Sequence, residues 1–200
     1  IQNHIMKKHI LFFLILFACS AYAQKISIPA DTIVESFHET TINNKLIHYK
    51  AEVGTQPVWN QSGEPIATLF YTYYKRIEKK NEKINRALRP IIISFNGGPG
   101  SGSLWMHIGY TGPRVLKIDD EGFPVQPYGM KDNPNSILDV ADIVYVNPVN
   151  TGFSRPIPNE EGEVDKEKFF GVDADVKYLA EWLNTFVSRN NRWLSPKYLI

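Results

Sequence analysis

Residues 90–104 constrain this chain more than any others. Pro90-Ile91-Ile92-Ile93-Ser94-Phe95 has the length and β-branched content of a buried strand. It runs directly into Asn96-Gly97-Gly98-Pro99-Gly100-Ser101-Gly102-Ser103-Leu104. A buried strand ending in glycines presents bare backbone N–H groups at its carboxyl end, where open α/β sheets bind their ligands. A glycine turn there can cradle phosphate, bind a dinucleotide or form half of an oxyanion hole. A Walker A loop needs Lys before its hydroxyl residue, whereas Gly102 is followed directly by Ser103. The dinucleotide fingerprint is also absent, since Gly98, Gly100 and Gly102 lie two apart. An oxyanion hole or a plain tight turn is left.

Three further segments sharpen this. Gly112-Pro113-Arg114 follows the glycine loop, then Asn147-Pro148-Val149-Asn150-Thr151-Gly152-Phe153-Ser154, then a stretch from Phe170-Gly171-Val172-Asp173-Ala174-Asp175 to Trp193-Leu194-Ser195-Pro196-Lys197-Tyr198. In that order, and over roughly residues 45–200, they resemble the serine carboxypeptidase family. Its motifs read Asn-Gly-Gly-Pro-Gly at the strand end and Asp-Pro-Val-Gly-Thr-Gly-Phe-Ser further on. The last stretch is similar to the helix that leads to the catalytic serine, particularly in bacterial members. The resemblance implies an α/β-hydrolase fold, here its amino-terminal part: a central, mostly parallel sheet preceded by a hairpin.

The resemblance also places the catalytic elbow, Gly-Glu-Ser-Tyr-Gly, immediately after Lys197-Tyr198-Leu199-Ile200, with Asp and His later still. No G-x-S-x-G occurs among the 200 residues. The nearest approach, Gly152-Phe153-Ser154-Arg155-Pro156, puts Pro where the second Gly belongs. Proline's fixed φ and missing N–H do not suit a sharp strand-to-helix turn, so Ser154 reads as part of a loop. None of the triad is expected in this chain.

At the other end, Met6-Lys7-Lys8-His9 leads into an apolar run from Ile10 to Phe17, and Ala21-Tyr22-Ala23 supplies small residues for a signal peptidase. Residues 1–23 read as upstream residues and a secretory signal, with cleavage before Gln24. The run falls well short of the ~20 residues of a membrane span. Leu16-Phe17-Ala18-Cys19 partly resembles a lipobox, so a lipoprotein anchored through Cys19 is the minority alternative. Residues 24–44 read as an irregular mature amino terminus and 45–200 as the hydrolase portion. Cys19 is the only cysteine, so the mature segment has no disulfide despite an export address that permits one. The expected location is a bacterial periplasm or the exterior.

Net charge is +1, with 43% hydrophobic and 22% charged residues, which argues against disorder and against a polyanion partner. The cluster from Lys75 to Lys83 mixes signs between two strand-like runs and reads as a solvated connection rather than a nucleic-acid site. The five His residues show no H-E-x-x-H spacing and there is no cysteine pair, so no metal is expected. No cofactor is implied, and oligomeric state is not legible.

Lys45 to Trp59 and Ile66 to Tyr74, joined by Asn60-Gln61-Ser62-Gly63-Glu64, read as a hairpin. Ile91 to Phe95 and Ile143 to Val146 read as central strands, Leu104 to Gly109 as a short helix or turn, and Asp119 to Asn135 as a loop. Val172, Val176, Leu179, Leu183 and Phe186 recur at helical spacing. Asp173 and Asp175 sit near the helix's amino end, with Arg189 and Arg192 at or beyond the other end. Lys197 to Ile200 begins another strand.

The family resemblance assigns one oxyanion-hole donor to Gly98 and substrate binding to Asn96 and Gly97. Asn96 would help hold the free carboxylate of a peptide substrate, or, alternatively, it is a buried amide capping the strand. Two departures bear on this. The family's Trp before Asn96 is Ser94 here, and the Glu expected before Gly112-Pro113 is replaced in the region of His107 to Tyr110. His107 itself reads as a packed structural residue, and Asp139 and Asp142 as backbone caps. Serine carboxypeptidase activity of the full-length protein is the leading expectation. An esterase or acyltransferase of the same fold is the alternative, beside a non-catalytic truncated secreted or binding protein.

Overall fold

The computed structural model describes residues 29–79, 82–96 and 100–200. The signal segment with Cys19 therefore lies outside the described residues, as do Gly97, Gly98 and Pro99 of the glycine loop. Two long antiparallel hairpins open the fold. Strand β1 (Thr32–Ile42) turns at Asn43-Asn44 into β2 (Lys45–Trp59), which turns through residues 60–64 into β3 (Pro65–Arg76). Both asparagines adopt positive φ, a conformation Asn tolerates better than most residues.

After β3 come β4 (Ile91–Ser94), a π-helical turn at Trp105–Thr111, the small pair β5 (Arg114–Leu116) and β6 (Met130–Asp132), and a 3-10 turn at Ile137–Asp139. Then follow β7 (Asp142–Val146), β8 (Arg155–Pro156), a second 3-10 turn, helix α1 (Val172–Arg189) and β9 (Lys197–Leu199). The main sheet has the order β1-β2-β3-β7-β4-β9, with β8 pairing on β3. Strands β7, β4 and β9 are mutually parallel, while every pairing of β1, β2 and β3 is antiparallel. The sheet in this part of the fold is thus mixed rather than mostly parallel: the two hairpins contribute as many strands as the crossovers do.

Residues 32–42, expected to be irregular, form a full strand registered along its length with β2. Thr-Ile-Val-Glu-Ser-Phe-His-Glu-Thr-Thr-Ile alternates apolar and polar residues only weakly because most of β1 is exposed on both faces. With neither face buried, the period-2 signal that marks a half-buried strand is missing.

Two apolar layers cover the sheet. On one face, Leu69, Tyr71, Tyr73, Ile93, Val144 and Val146 pack against Tyr178, Trp182 and Phe186 of α1. On the other, Ile42, Ile47, Tyr49 and Ala51 pack with Leu138 and Tyr74. The helix is where periodicity placed it, but its buried residues are Tyr178, Trp182, Phe186 and Val187. Val172 and Val176 are exposed, at 79% and 64%, so the face is rotated from the aliphatic stripe. The aromatic rings decide this. Trp182 stacks on Phe186 at 5.0 Å, and both meet Tyr71 edge-on, burying more apolar area than the valines could.

The amino ends of the parallel strands converge on Asp142, which is fully buried. Its carboxylate accepts from Arg89 Nε at 2.7 Å, from Arg86 at 3.1 Å, and from Arg192. Oδ1 also accepts from the Arg76 backbone N–H at 3.0 Å. Arg192 lies just beyond the carboxyl end of the helix, where it was expected, and is 1% exposed. It reaches Tyr73 Oη at 2.8 Å, the Arg89 carbonyl at 2.7 Å and Ser195 Oγ at 2.7 Å. The cluster from Lys75 to Lys83 is accordingly not wholly solvated: Arg76 pairs with Glu82 and bonds the Asp139 carbonyl.

Candidate active site

The strand order reverses about β4. The chain crosses from β4 to β7 on one side and returns through α1 to β9 on the other, leaving a crevice at the strands' carboxyl ends. Asn96 emerges there from β4 and Asn147 from β7, and Ile200 follows β9. The last pairing is tight: Phe95 N–H donates to the Ile200 carbonyl at 3.1 Å, and Ile200 N–H to Ile93 at 3.0 Å. An apolar cavity of about 820 Å³ opens between the first half of α1 and these strand ends. Asn96, Gly100, Asn150 and Thr151 stand among its lining residues, with Phe95, Phe169 and Leu179 supplying apolar wall.

The described ends of the glycine loop are bolted to β7. Ser103 is buried, and its Oγ donates to the Val146 carbonyl at 2.5 Å while accepting from Asn96 N–H at 3.2 Å. Ser103 N–H donates to Asn147 Oδ1 at 2.8 Å. The following loop folds back on the same strand. Ser154 Oγ donates to the Asn147 carbonyl at 2.7 Å and accepts from Phe70 N–H at 2.8 Å. With no exposed surface and both roles occupied by backbone, Ser154 is a brace and not a nucleophile, as the elbow argument required. Asn150 has φ +66°, so the Asn that replaces a family Gly adopts the left-handed conformation directly.

His107 sits on the π-helical turn. Its Nε2 meets Tyr74 Oη at 2.7 Å and its ring stacks on Tyr145 at 4.4 Å. Burial pushes its pKa down to about 4 from the ordinary 6.5. It is a packed, neutral histidine. The unfolded chain therefore takes up a proton below about pH 6.5 that the folded site refuses until about pH 4. Stability from this residue is complete above pH 6.5 and is expected to fall by about 2 kcal/mol between pH 7 and pH 5. His107→Gln, which can still accept from Tyr74, is expected to lose that part of the slope in urea unfolding at the two pH values. An unchanged slope would contradict the assignment.

Asp139 and Asp142 divide. Asp139 Oδ2 accepts from Asn43 Nδ2 at 2.8 Å, whereas Asp142 caps the Arg76 backbone and anchors the arginine cluster. Thr151 Oγ1 bonds the Pro148 carbonyl at 2.8 Å and lines the crevice, whereas Phe153 packs edge-on against Phe70 outside its lining. Among the described residues no group of His, Cys, Asp or Glu is arranged to hold a metal ion, and no helix is long and apolar enough to cross a membrane. Of the three residues singled out for oxyanion and substrate contacts, Asn96 is placed at the crevice; Gly97 and Gly98 lie outside the described residues. The Ser103–Asn147 pairing was missed from sequence. Only their presence in two motifs hinted at it.

A parallel β7-β4-β9 core with an antiparallel flank, a glycine loop after β4 and a helix leading into β9 defines an α/β-hydrolase. The profile of the serine carboxypeptidase family matches residues 58–195, and the chain belongs to that family. It is similar to the pheromone-processing carboxypeptidase KEX1 of Saccharomyces cerevisiae, with 30% identity over 108 residues covering 53% of this chain and 14% of the relative. It is also similar to serine carboxypeptidase-like 36 of Arabidopsis thaliana, with 28% identity over 127 residues covering 62% and 23%. The chain spans less than a quarter of the length of these two relatives.

Proposed function

We propose that this chain is the oxyanion-hole half of an exported serine carboxypeptidase whose triad lies on the polypeptide beyond Ile200. One observation carries the reading. Strand β9 pairs in parallel with β4 through Ile93↔Leu199, so chain continuing past Ile200 leaves the sheet beside Asn96 and the glycine loop. A serine there would attack the carbonyl of the last peptide bond, its proton passing to a histidine and then to the departing amino group. The acyl-enzyme would then be released to water. Gly98 N–H, with the N–H following the serine, would hold the developing oxyanion. Each such donor contributes about 3 kcal/mol in hydrolases. Asn96 and Gly97 would orient the substrate, with Asn96 on its free carboxylate. No cofactor enters this chemistry.

One observation favours a second reading within the same fold. Ser94, which stands where the family has Trp, is fully buried and its Oγ has no hydrogen-bond partner, so that side chain offers nothing to a carboxylate. Esterase or acyltransferase activity is the outcome this favours. Turnover of a blocked dipeptide by the whole protein, compared with its amidated form and its methyl ester, separates the two. A carboxypeptidase prefers the free acid strongly; equal or better turnover of amide or ester overturns the carboxypeptidase reading while leaving serine chemistry in place.

A further inference from the structure

We propose that Asn147 is a positioning residue for the oxyanion loop, acting through its side-chain oxygen alone. The proposal rests on the serine acyl-transfer reading above. Asn147 is the first residue after β7, and its side chain lies between two glycines of different motifs. A Cβ built on Gly102 would meet its Oδ1 at 3.4 Å, and one on Gly152 would meet its Nδ2 at 2.3 Å. Gly152 also has φ +50°, which disfavours any other residue there. The amide is therefore gripped on both sides.

Its orientation is fixed by its partner. Ser103 N–H can only donate, so the atom 2.8 Å away must be the oxygen. That bond holds the carboxyl-side end of the glycine loop on β7. The Ser103 hydroxyl then completes the brace, donating to Val146 and accepting from Asn96 N–H. Both residues that bracket the glycine stretch are thus referred to one point, the carboxyl end of β7. The main chain of Asn147 is held in turn by Ser154 from the loop behind it.

Two consequences follow from the use of oxygen alone. First, Asp in this position, as the family motif has it, supplies the same acceptor, so the departure to Asn leaves the brace intact. Second, an isosteric side chain without the oxygen releases Ser103 N–H and lets the loop drift. A displacement of about 1 Å at a reacting centre costs about a hundredfold in rate.

The test uses the whole protein and an activated ester without a free carboxylate, so that contacts of Asn96 with a carboxylate do not enter the rate. Asn147→Leu is expected to lose about a hundredfold in kcat per folded molecule, with KM little changed. Asn147→Asp is expected to stay within about threefold of wild type, and Ser103→Ala, which removes only the hydroxyl half of the brace, to lose about tenfold. Thermal unfolding of each variant gives the folded fraction. Wild-type kcat in folded Asn147→Leu overturns the proposal, as does an Asn147→Asp variant as impaired as the leucine variant. If the leucine variant does not fold, Asn147→Ala, which removes the same acceptor with less bulk, decides: an unchanged rate in folded protein overturns the proposal. Wild-type protein that neither turns over the ester nor reacts with a serine-directed phosphonate overturns the functional reading itself, and the proposal with it.

Discussion

Asp142→Ala is expected to cost the protein about 3–5 kcal/mol of folding stability, enough to unfold many domains outright. The reason is arithmetic of charge. Three guanidinium groups, those of Arg86, Arg89 and Arg192, converge on this one carboxylate at the floor of the sheet. Arg89 and Arg192 are themselves buried, so neither can turn to water once the partner is lost. Backbone carbonyls of Leu138, Ala141 and Arg89 absorb some of their N–H groups, but carbonyl dipoles do not replace a full negative charge. The Arg76 backbone N–H loses its acceptor as well. Arg192→Met is expected to cost less, because Asp142 keeps two arginines. Urea unfolding of the whole protein gives both values. A loss under about 1 kcal/mol for Asp142→Ala would show that the cluster is dispensable.

Trp182→Ala is expected to cost a similar amount, about 3–5 kcal/mol, by leaving a cavity between α1 and the sheet. Trp182 is 1% exposed and touches Tyr71 and Phe186, and its carbonyl accepts from the buried Gln56 amide at 2.9 Å. Trp182→Phe separates volume from polarity. The indole Nε1 has no hydrogen-bond partner, so phenylalanine forfeits no bond and loses only the smaller ring's contacts, about 1 kcal/mol. Chemical denaturation of the two variants tests this ordering. A phenylalanine variant as damaged as the alanine variant would mean that the indole N–H does useful bonding.

Both predictions bear on what was legible in the sequence. The strands at Ile91 and Ile143 were readable because apolar β-branched runs have few other uses. The helix was readable from its period, and so was part of its buried face: Phe186 is buried and Leu179 and Leu183 pack against the core, whereas Tyr178 and Trp182 lay off the predicted stripe. Hydrophobic spacing counts Val176 equally with Trp182, whereas packing rewards the larger ring. Strand β1 was hidden because Glu35 and Glu39 alternate with residues that are themselves exposed. At the site, the structural role of His107 and the unsuitability of Ser154 followed from chain order and proline chemistry. The Asp142–Arg192 pair and the Ser103–Asn147 bond join residues 50 and 44 positions apart. Such pairings belong to the topology of β4, β7 and β9, and no local spacing announces them.

The most direct test of the account is to treat the whole protein with a serine-reactive phosphonate and map the modified residue by peptide mass spectrometry. The account predicts a single modified serine in a Gly-x-Ser-x-Gly segment following Ile200, with Ser94, Ser103 and Ser154 untouched. Absence of labelling, or a label on one of those three serines, would contradict it.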